Sequence, residues 1–263
     1  MDTQVLGGHA GDTGGRRPQP CGVCPDHAPK NALQPWRQQH WGIPPHANAE
    51  CVGALAAVLE VYTRPYDPQR PQVGLDETSK HLVADTRRPI PATPGQPERV
   101  DDAYERPGTA TRFMVFEPLA GHRRVKVTER RTAVDCAPLS REVVDAQYPQ
   151  AETSVLVMAN LNTHTPASLY EAFPPAEARR LLERLAMHDT PTHGSGLDMA
   201  ETALRILASQ CLNRRLPDPS LLRREVAAWE RQRNAAECQV DWRFTTQDAR
   251  IKLKRLYPSI QPG

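Results

Sequence analysis

One stretch constrains this chain more than any other. Gln72-Val73-Gly74-Leu75 is an apolar run that ends in the acidic pair Asp76-Glu77 and then in Thr78-Ser79-Lys80. That order suits a buried strand delivering a carboxylate to the rim of a sheet, where a site can use it. Ser154-Val155-Leu156-Val157-Met158-Ala159-Asn160-Leu161-Asn162-Thr163-His164 has the same shape, with Ala159 at the position of the acid. A third acid, Glu201, opens a helix in Gly194-Ser195-Gly196-Leu197-Asp198-Met199-Ala200-Glu201. Only two of the three places therefore hold a carboxylate. Glu77 adjoins Asp76, but strand alternation points it to the opposite face, so it is a neighbour and not a ligand.

Length and charge narrow the classes less sharply. A chain of 263 residues can bury a core, and its 26 prolines predict many interruptions. The net charge of +2 does not announce a nucleic-acid protein. From Glu201 onward, however, twelve Lys/Arg stand against seven Asp/Glu. Such an excess suits a polyanion and equally suits a solvated helical face. No window is long and apolar enough to cross a membrane, and the N-terminus lacks the basic and apolar regions of a signal peptide. The six cysteines are scattered apart from Cys21 and Cys24, as expected of reduced thiols in an intracellular protein.

Residues 1–30 read as a poorly structured leader, punctuated by Gly and Pro with no apolar period. Cys21, Cys24 and His27 would make half a zinc site, and no second pair follows at finger spacing. Residues 31–68 read as an arm pinned by Trp36 and Trp41, then a helix over Ala49 to Tyr62, stopped by Pro65 and Pro68. A Pro-rich connection follows the first strand, through Pro89, Pro91, Pro94 and Pro97. Thr109 to Glu117 and Arg123 to Thr128 form a hairpin around Gly121. Thr132 to Tyr148 reads as a helix with Val134, Leu139, Val143 and Val144 on one face. Ser154 to Met158 is a strand, Thr165 to Phe173 a helix, Pro175 to Leu185 a helix, and Ala186 to His188 a short strand. The tail is helical over Asp198 to Cys211, Ser220 to Asn234 and Thr246 to Leu256, with Ser220 and Thr246 as N-caps. This order predicts an α/β fold, a mixed sheet with helices on its faces and a helical C-terminal tail.

Several stretches together carry a family likeness: Leu75-Asp76-Glu77-Thr78-Ser79-Lys80, Phe116-Glu117-Pro118-Leu119-Ala120-Gly121, Asn160-Leu161-Asn162-Thr163-His164, Glu171-Ala172-Phe173-Pro174-Pro175-Ala176-Glu177-Ala178-Arg179, Trp242-Arg243-Phe244-Thr245-Thr246, and the run from Asp248 to Pro258. From about residue 31 to 260 the chain resembles the bacterial insertion-sequence transposases of the mariner superfamily, the six-thirty group. The resemblance implies a ribonuclease-H-like DDE endonuclease domain over residues 69–263. It also implies an acidic triad that binds two Mg2+ or Mn2+ ions. Its implied partners are DNA, as element terminal repeats and target, and a second copy of the chain in a homodimer. The implied location is the bacterial cytoplasm, at the nucleoid. Clustered carboxylates suit that chemistry, because two hard cations roughly 4 Å apart polarise both the attacking and the leaving oxygen.

Carried over residue by residue, Asp76 stands at the first catalytic Asp and Glu201 at the final Glu, both as metal ligands. Ala159 stands where the second Asp belongs, and a methyl group cannot ligate a metal. A cleavage-impaired copy is the expectation. The family's Trp and Leu-Asn after Gly-Ser are replaced by Gly196, Leu197 and Asp198. Asp198 either caps the helix or lends the missing carboxylate. The family's N-terminal helix-turn-helix region has no counterpart in residues 1–30, which suggests truncation or a shifted frame. Arg243, Arg250, Lys252, Lys254, Arg255 and His193 are the DNA-contacting candidates, positioning phosphates without reading sequence. His164 reads as structurally satisfied, His188 as solvated, Trp229 as core, and Trp242 and Phe244 as packing anchors.

Overall fold

A five-stranded mixed sheet runs in the order β3-β2-β1-β4-β5. The strands are β1 (Gln72–Asp85), β2 (Tyr104–Glu117), β3 (His122–Thr128), β4 (Ser154–Met158) and β5 (Leu185–Asp189). The structure is a computed structural model that describes residues 46, 48–159, 162–192 and 194–258. These belong to the compact unit Gly42–Gly263. The leader, Trp36, Trp41, the Cys21/Cys24 pair and His193 lie outside the described residues.

Strands β1, β2 and β3 form an antiparallel meander. The turn between β2 and β3 uses Gly121 at φ +70°, a backbone conformation that an added Cβ would strain. β4 and β5 then add in parallel to the other edge of β1, through helical crossovers. The parallel strands are short, and β4 reads as a continuous apolar run because helices cover both its faces. β4 is buried at all five positions.

Alternation along β1 and β2 feeds two cores. Val73, Leu75, Phe113 and Val115 face one layer, formed by α2 (Ala133–Glu142), α3 (Pro166–Ala172) and α4 (Pro175–Glu183). Leu82, Ala110, Met114 and Phe116 face the other. That second layer contains α1 (Ala49–Tyr62), α5 (Met199–Gln210), α6 (Pro219–Ala235) and α7 (Thr246–Lys252). α5 lies directly on β1 because Gly74 carries no side chain there: a Cβ would stand 3.2 Å from the Ala200 nitrogen.

The structure corrects several local expectations. β1 does not end at the acidic pair but continues to Asp85, because its second half pairs with an equally long β2. β2 starts at Tyr104 and accommodates Pro107 and Gly108 where the register with β1 shifts. Val134 is exposed, since α2 buries the face that carries Cys136, Ala137, Leu139 and Ser140. After Glu142 the helix widens into a π-helical turn, Val143–Gln147. Leu185 begins β5 and does not end α4. The N-caps of α6 and α7 are Asp218 and Thr245, each one or two residues before the expected cap. Thr245 forms a reciprocal capping box with Asp248, and Asp218 accepts from the Ser220 and Leu221 amides at 2.8 Å.

Candidate active site

Asp76 and Glu201 line one cavity of about 260 Å³, together with Glu77, Thr78, Arg112, Leu204, Arg205 and Ala208. β1 brings Asp76 to the face covered by α5, and the first turn of α5 brings Glu201. Leu75 pairs with Met158 in the parallel register of β1 and β4. One step further along both strands come Asp76 and Ala159, so the methyl group occupies the neighbouring strand position. The next acid across the sheet, Asp189, pairs with Met158 and thus belongs to the opposite face.

Burial and neighbouring charge mark Asp76 as a strained anion. It is 8% exposed, and desolvation first, then the Glu77 and Glu201 carboxylates, raise its pKa to about 6. Asp198 is more extreme. It is 1% exposed, and burial together with the charge of Asp76 pushes it up to about 8. Its Oδ1 accepts from the amides of Ala200 (2.8 Å) and Glu201 (3.2 Å), so it is the N-cap of α5. Its Oδ2 is enclosed without a hydrogen-bond partner among the described residues. The loop before α5 is held from behind by Tyr62, whose hydroxyl donates to the Leu197 carbonyl at 2.8 Å.

Glu201 is not free. Arg205, one turn on, donates to its Oε1 at 2.6 Å. Among the described residues no group of three or more His, Cys, Asp or Glu side chains is placed to hold a metal ion. Two carboxylates, one engaged by an arginine, do not fit a two-ion site.

Glu77 lies across the sheet from this cluster, as alternation requires. Its carboxylate accepts from His164 Nε2 in a fully buried ion pair, and Arg131 Nε approaches it at 3.4 Å. Its place in the cavity wall is the backbone side of β1. His164 Nδ1 donates to the Ala159 carbonyl at 3.0 Å. Burial opposes a charge on this ring, but Cys136 and Glu77 outweigh it and raise its pKa to about 10. An imidazolium with both N–H groups satisfied therefore clamps the end of β4 against β1.

The basic candidates fall elsewhere. Arg250, Lys252, Lys254 and Arg255 are exposed on α7 and the turn after it, and that segment packs on α1. Arg243 is exposed beside Asp241. None of the five lines the acid cavity. Trp229 is core, His188 is half-buried in β5, and Trp242 packs on Tyr62 with ring centroids 5.1 Å apart. Sequence reasoning missed Arg112, Arg205 and the Glu77–His164 pair. Arg205 carried a local signal, its spacing of four from Glu201. Glu77 and His164 are 87 residues apart, so no local pattern could join them.

A family model described as DDE superfamily endonuclease matches residues 71–223. Among solved structures, the mariner Mos1 paired end complex with Mg is 13% identical, covering 86% of this chain and 68% of that one, at a TM-score of 0.53. The Mos1 mariner paired end complex with Mn is 15% identical, covering 78% of this chain at a TM-score of 0.50. A pre-cleavage Mos1 transpososome is 14% identical, covering 88% and 69%, at 0.50. At such identities the likeness is one of fold: the ribonuclease-H-like mixed sheet with flanking helices. The chain spans 62% of the length of the Mn complex chain. No curated protein matches.

Proposed function

The chain belongs to the DDE superfamily endonucleases, and from that premise we propose that residues 69–263 are a transposase catalytic domain whose cleavage is impaired. Its substrate is DNA at the ends of a mobile element, and its reaction is strand cutting and joining. Asp76 and Glu201 are the residues that would hold a divalent ion, Mg2+ or Mn2+, while Asp198 serves as the cap of α5. Such ions polarise the attacking and leaving oxygens of a phosphodiester. The protein acts at DNA, as a homodimer, in the bacterial nucleoid.

The observation that carries this reading is the parallel pairing of Leu75 with Met158. It makes Ala159 the neighbour of Asp76, in the place where a third oxygen donor would complete the set. Every 1.36 kcal/mol lost from transition-state stabilisation is tenfold in rate, and a lost ligand amounts to several such factors. The bond between Arg205 and Glu201 favours a second reading, a DNA-binding or self-associating protein that does not cut. Arg205 already offsets part of the Glu201 charge and so weakens its pull on an ion, though Oε2 stays available.

The test incubates the wild-type chain, Asp76→Ala, Ala159→Asp and Asp76→Ala/Ala159→Asp with end-containing DNA and manganese. Cleavage by Ala159→Asp alone is the expected result. Efficient cleavage by the wild type, abolished by Asp76→Ala, would sink the claim of impairment. Salt-sensitive binding without cutting by any version selects the second reading.

A further inference from the structure

Arg112 lies on β2 opposite Thr78 of β1 and Val127 of β3, in the middle of the sheet. It shares the α5-covered face with Ala110, Met114 and Phe116, and it lines the same cavity as Asp76 and Glu201. The residue is 3% exposed. Its Nε and Nη1 are enclosed without any hydrogen-bond partner among the described residues. Burial pushes its pKa down, as expected of a charge that has given up water without gaining a counter-ion.

Arg123 shows what a structural arginine looks like in this protein. It is equally buried, yet Nη1 donates to the Gly121 carbonyl at 2.7 Å and Nη2 to the Cys238 carbonyl at 2.6 Å. Its guanidinium also stacks over Phe116 at 4.3 Å. Arg112 has none of these contacts. Nor does it neutralise Glu201, because Arg205 already does. Lys80, on the neighbouring strand, feels its charge and adds a second cation to the same face. Enclosed, unsatisfied guanidinium N–H groups beside a cavity suit an oxyanion, and in a protein that acts on DNA the oxyanion at hand is a phosphate.

We propose that Arg112 is an anion anchor that holds a phosphate group in the cavity beside Asp76 and Glu201. In DNA that group is a backbone phosphodiester next to the one the acids address. The proposal rests on the function argued above only for the source of the phosphate, not for the anion site itself.

The experiment compares the full chain with Arg112→Met, Arg112→Lys and, as a structural control, Arg123→Met. Inorganic phosphate is titrated in thermal melts, and a single-stranded oligonucleotide is titrated by anisotropy over a range of salt, without divalent ions. Arg112→Met should melt no lower than wild type, because a buried unpaired charge has gone. It should lose the phosphate-induced rise in Tm and bind the oligonucleotide at least tenfold more weakly. Its log K against log salt slope should be smaller by about 0.7, one phosphate contact on a single strand. Arg112→Lys keeps the charge without the fork, and should keep only part of both responses; it decides the matter should Arg112→Met fail to fold. Arg123→Met should lower Tm. Unchanged phosphate and oligonucleotide responses in the folded Arg112 variants overturn the proposal, as does a wild type that responds to neither probe. A phosphate response without oligonucleotide binding keeps the anion site and rejects the DNA source, so it is distinguishable from failure of Ala159→Asp to cut.

Discussion

His164 presents one N–H to Glu77 and the other to the Ala159 carbonyl, and both members of the ion pair are fully enclosed. Removing His164 leaves Glu77 buried with only the longer contacts of Arg131 Nε and Thr163 Oγ1, both at 3.4 Å, so His164→Ala should cost about 2–4 kcal/mol in urea unfolding at neutral pH. The pH dependence follows from the shifts. The folded pKa of His164, about 10, lies above its unfolded value of 6.5. Its contribution is complete below 6.5 and is lost as pH rises through 10. Asp198, raised to about 8, holds a proton in the fold that the unfolded chain releases near 4, so it lowers stability between those values; Asp76, raised to about 6, adds to the lower part. Unfolding free energy should therefore decline from pH 5 to pH 10. Asp198→Asn retains a capping oxygen and removes the charge, and should flatten the part below pH 8. His164→Gln should flatten the part above 6.5. A profile that rises across this range would contradict both assignments.

α5 carries Glu201 and also forms much of one core through Ala200, Ala203, Leu204 and Leu207, so its seat on β1 sets the spacing of the two acids. Gly74 makes that seat possible. Gly74→Ala would put a methyl group 3.2–3.3 Å from the Ala200 nitrogen and Cβ, and neither backbone can give way easily. The expected cost is about 1–3 kcal/mol, read as a lower Tm. In an Ala159→Asp background the substitution should reduce cleavage further, because it moves Glu201 away from Asp76. Elements were legible where one physical signal decided them. Ala49 to Tyr62 has a helical apolar repeat with Pro65 behind it, and Ser154 to Met158 is a short uninterrupted apolar run; both match the structure to the residue. The far half of β1 was not legible, because its polar residues are stabilised by the ladder with β2, a partner some thirty positions away. The caps of α6 and α7 were misplaced because Asp218 and Thr245 compete with equally suitable Ser220 and Thr246 nearby, and only backbone geometry chooses between them. At the site, Asp76, Ala159 and Glu201 announced themselves by local pattern. Arg112 did not, because one arginine in an alternating strand looks like any solvent-facing position.

The whole chain is close to neutral, but exposed cations gather on α7 and the turn that follows, away from the cavity where Asp76 and Glu201 meet Arg112 and Arg205. That C-terminal segment is anchored and not loose. The Asn48 amide donates to the Leu256 carbonyl at 3.0 Å, and Ala249 and Leu256 are buried. Its cations are thus held on a fixed platform beside α1. Among them Lys252 also lies over the Phe244 ring, at 5.4 Å, so it contributes to packing as well as to charge. Arg250, Lys254 and Arg255 are the cleaner probes. If this platform tracks a DNA backbone, each contact releases counter-ions, and log K falls with log salt by roughly 0.9 per phosphate on a duplex. Changing all three to Gln should reduce the slope by about 2 to 3 and weaken duplex binding at low salt regardless of sequence. Tm should hold within about 2 °C, because exposed substitutions of this kind cost little. The same triple variant should leave the phosphate-induced rise in Tm intact, since none of the three lines the acid cavity. An unchanged slope would place the duplex on another face and leave these cations as the solvated side of a packed helix.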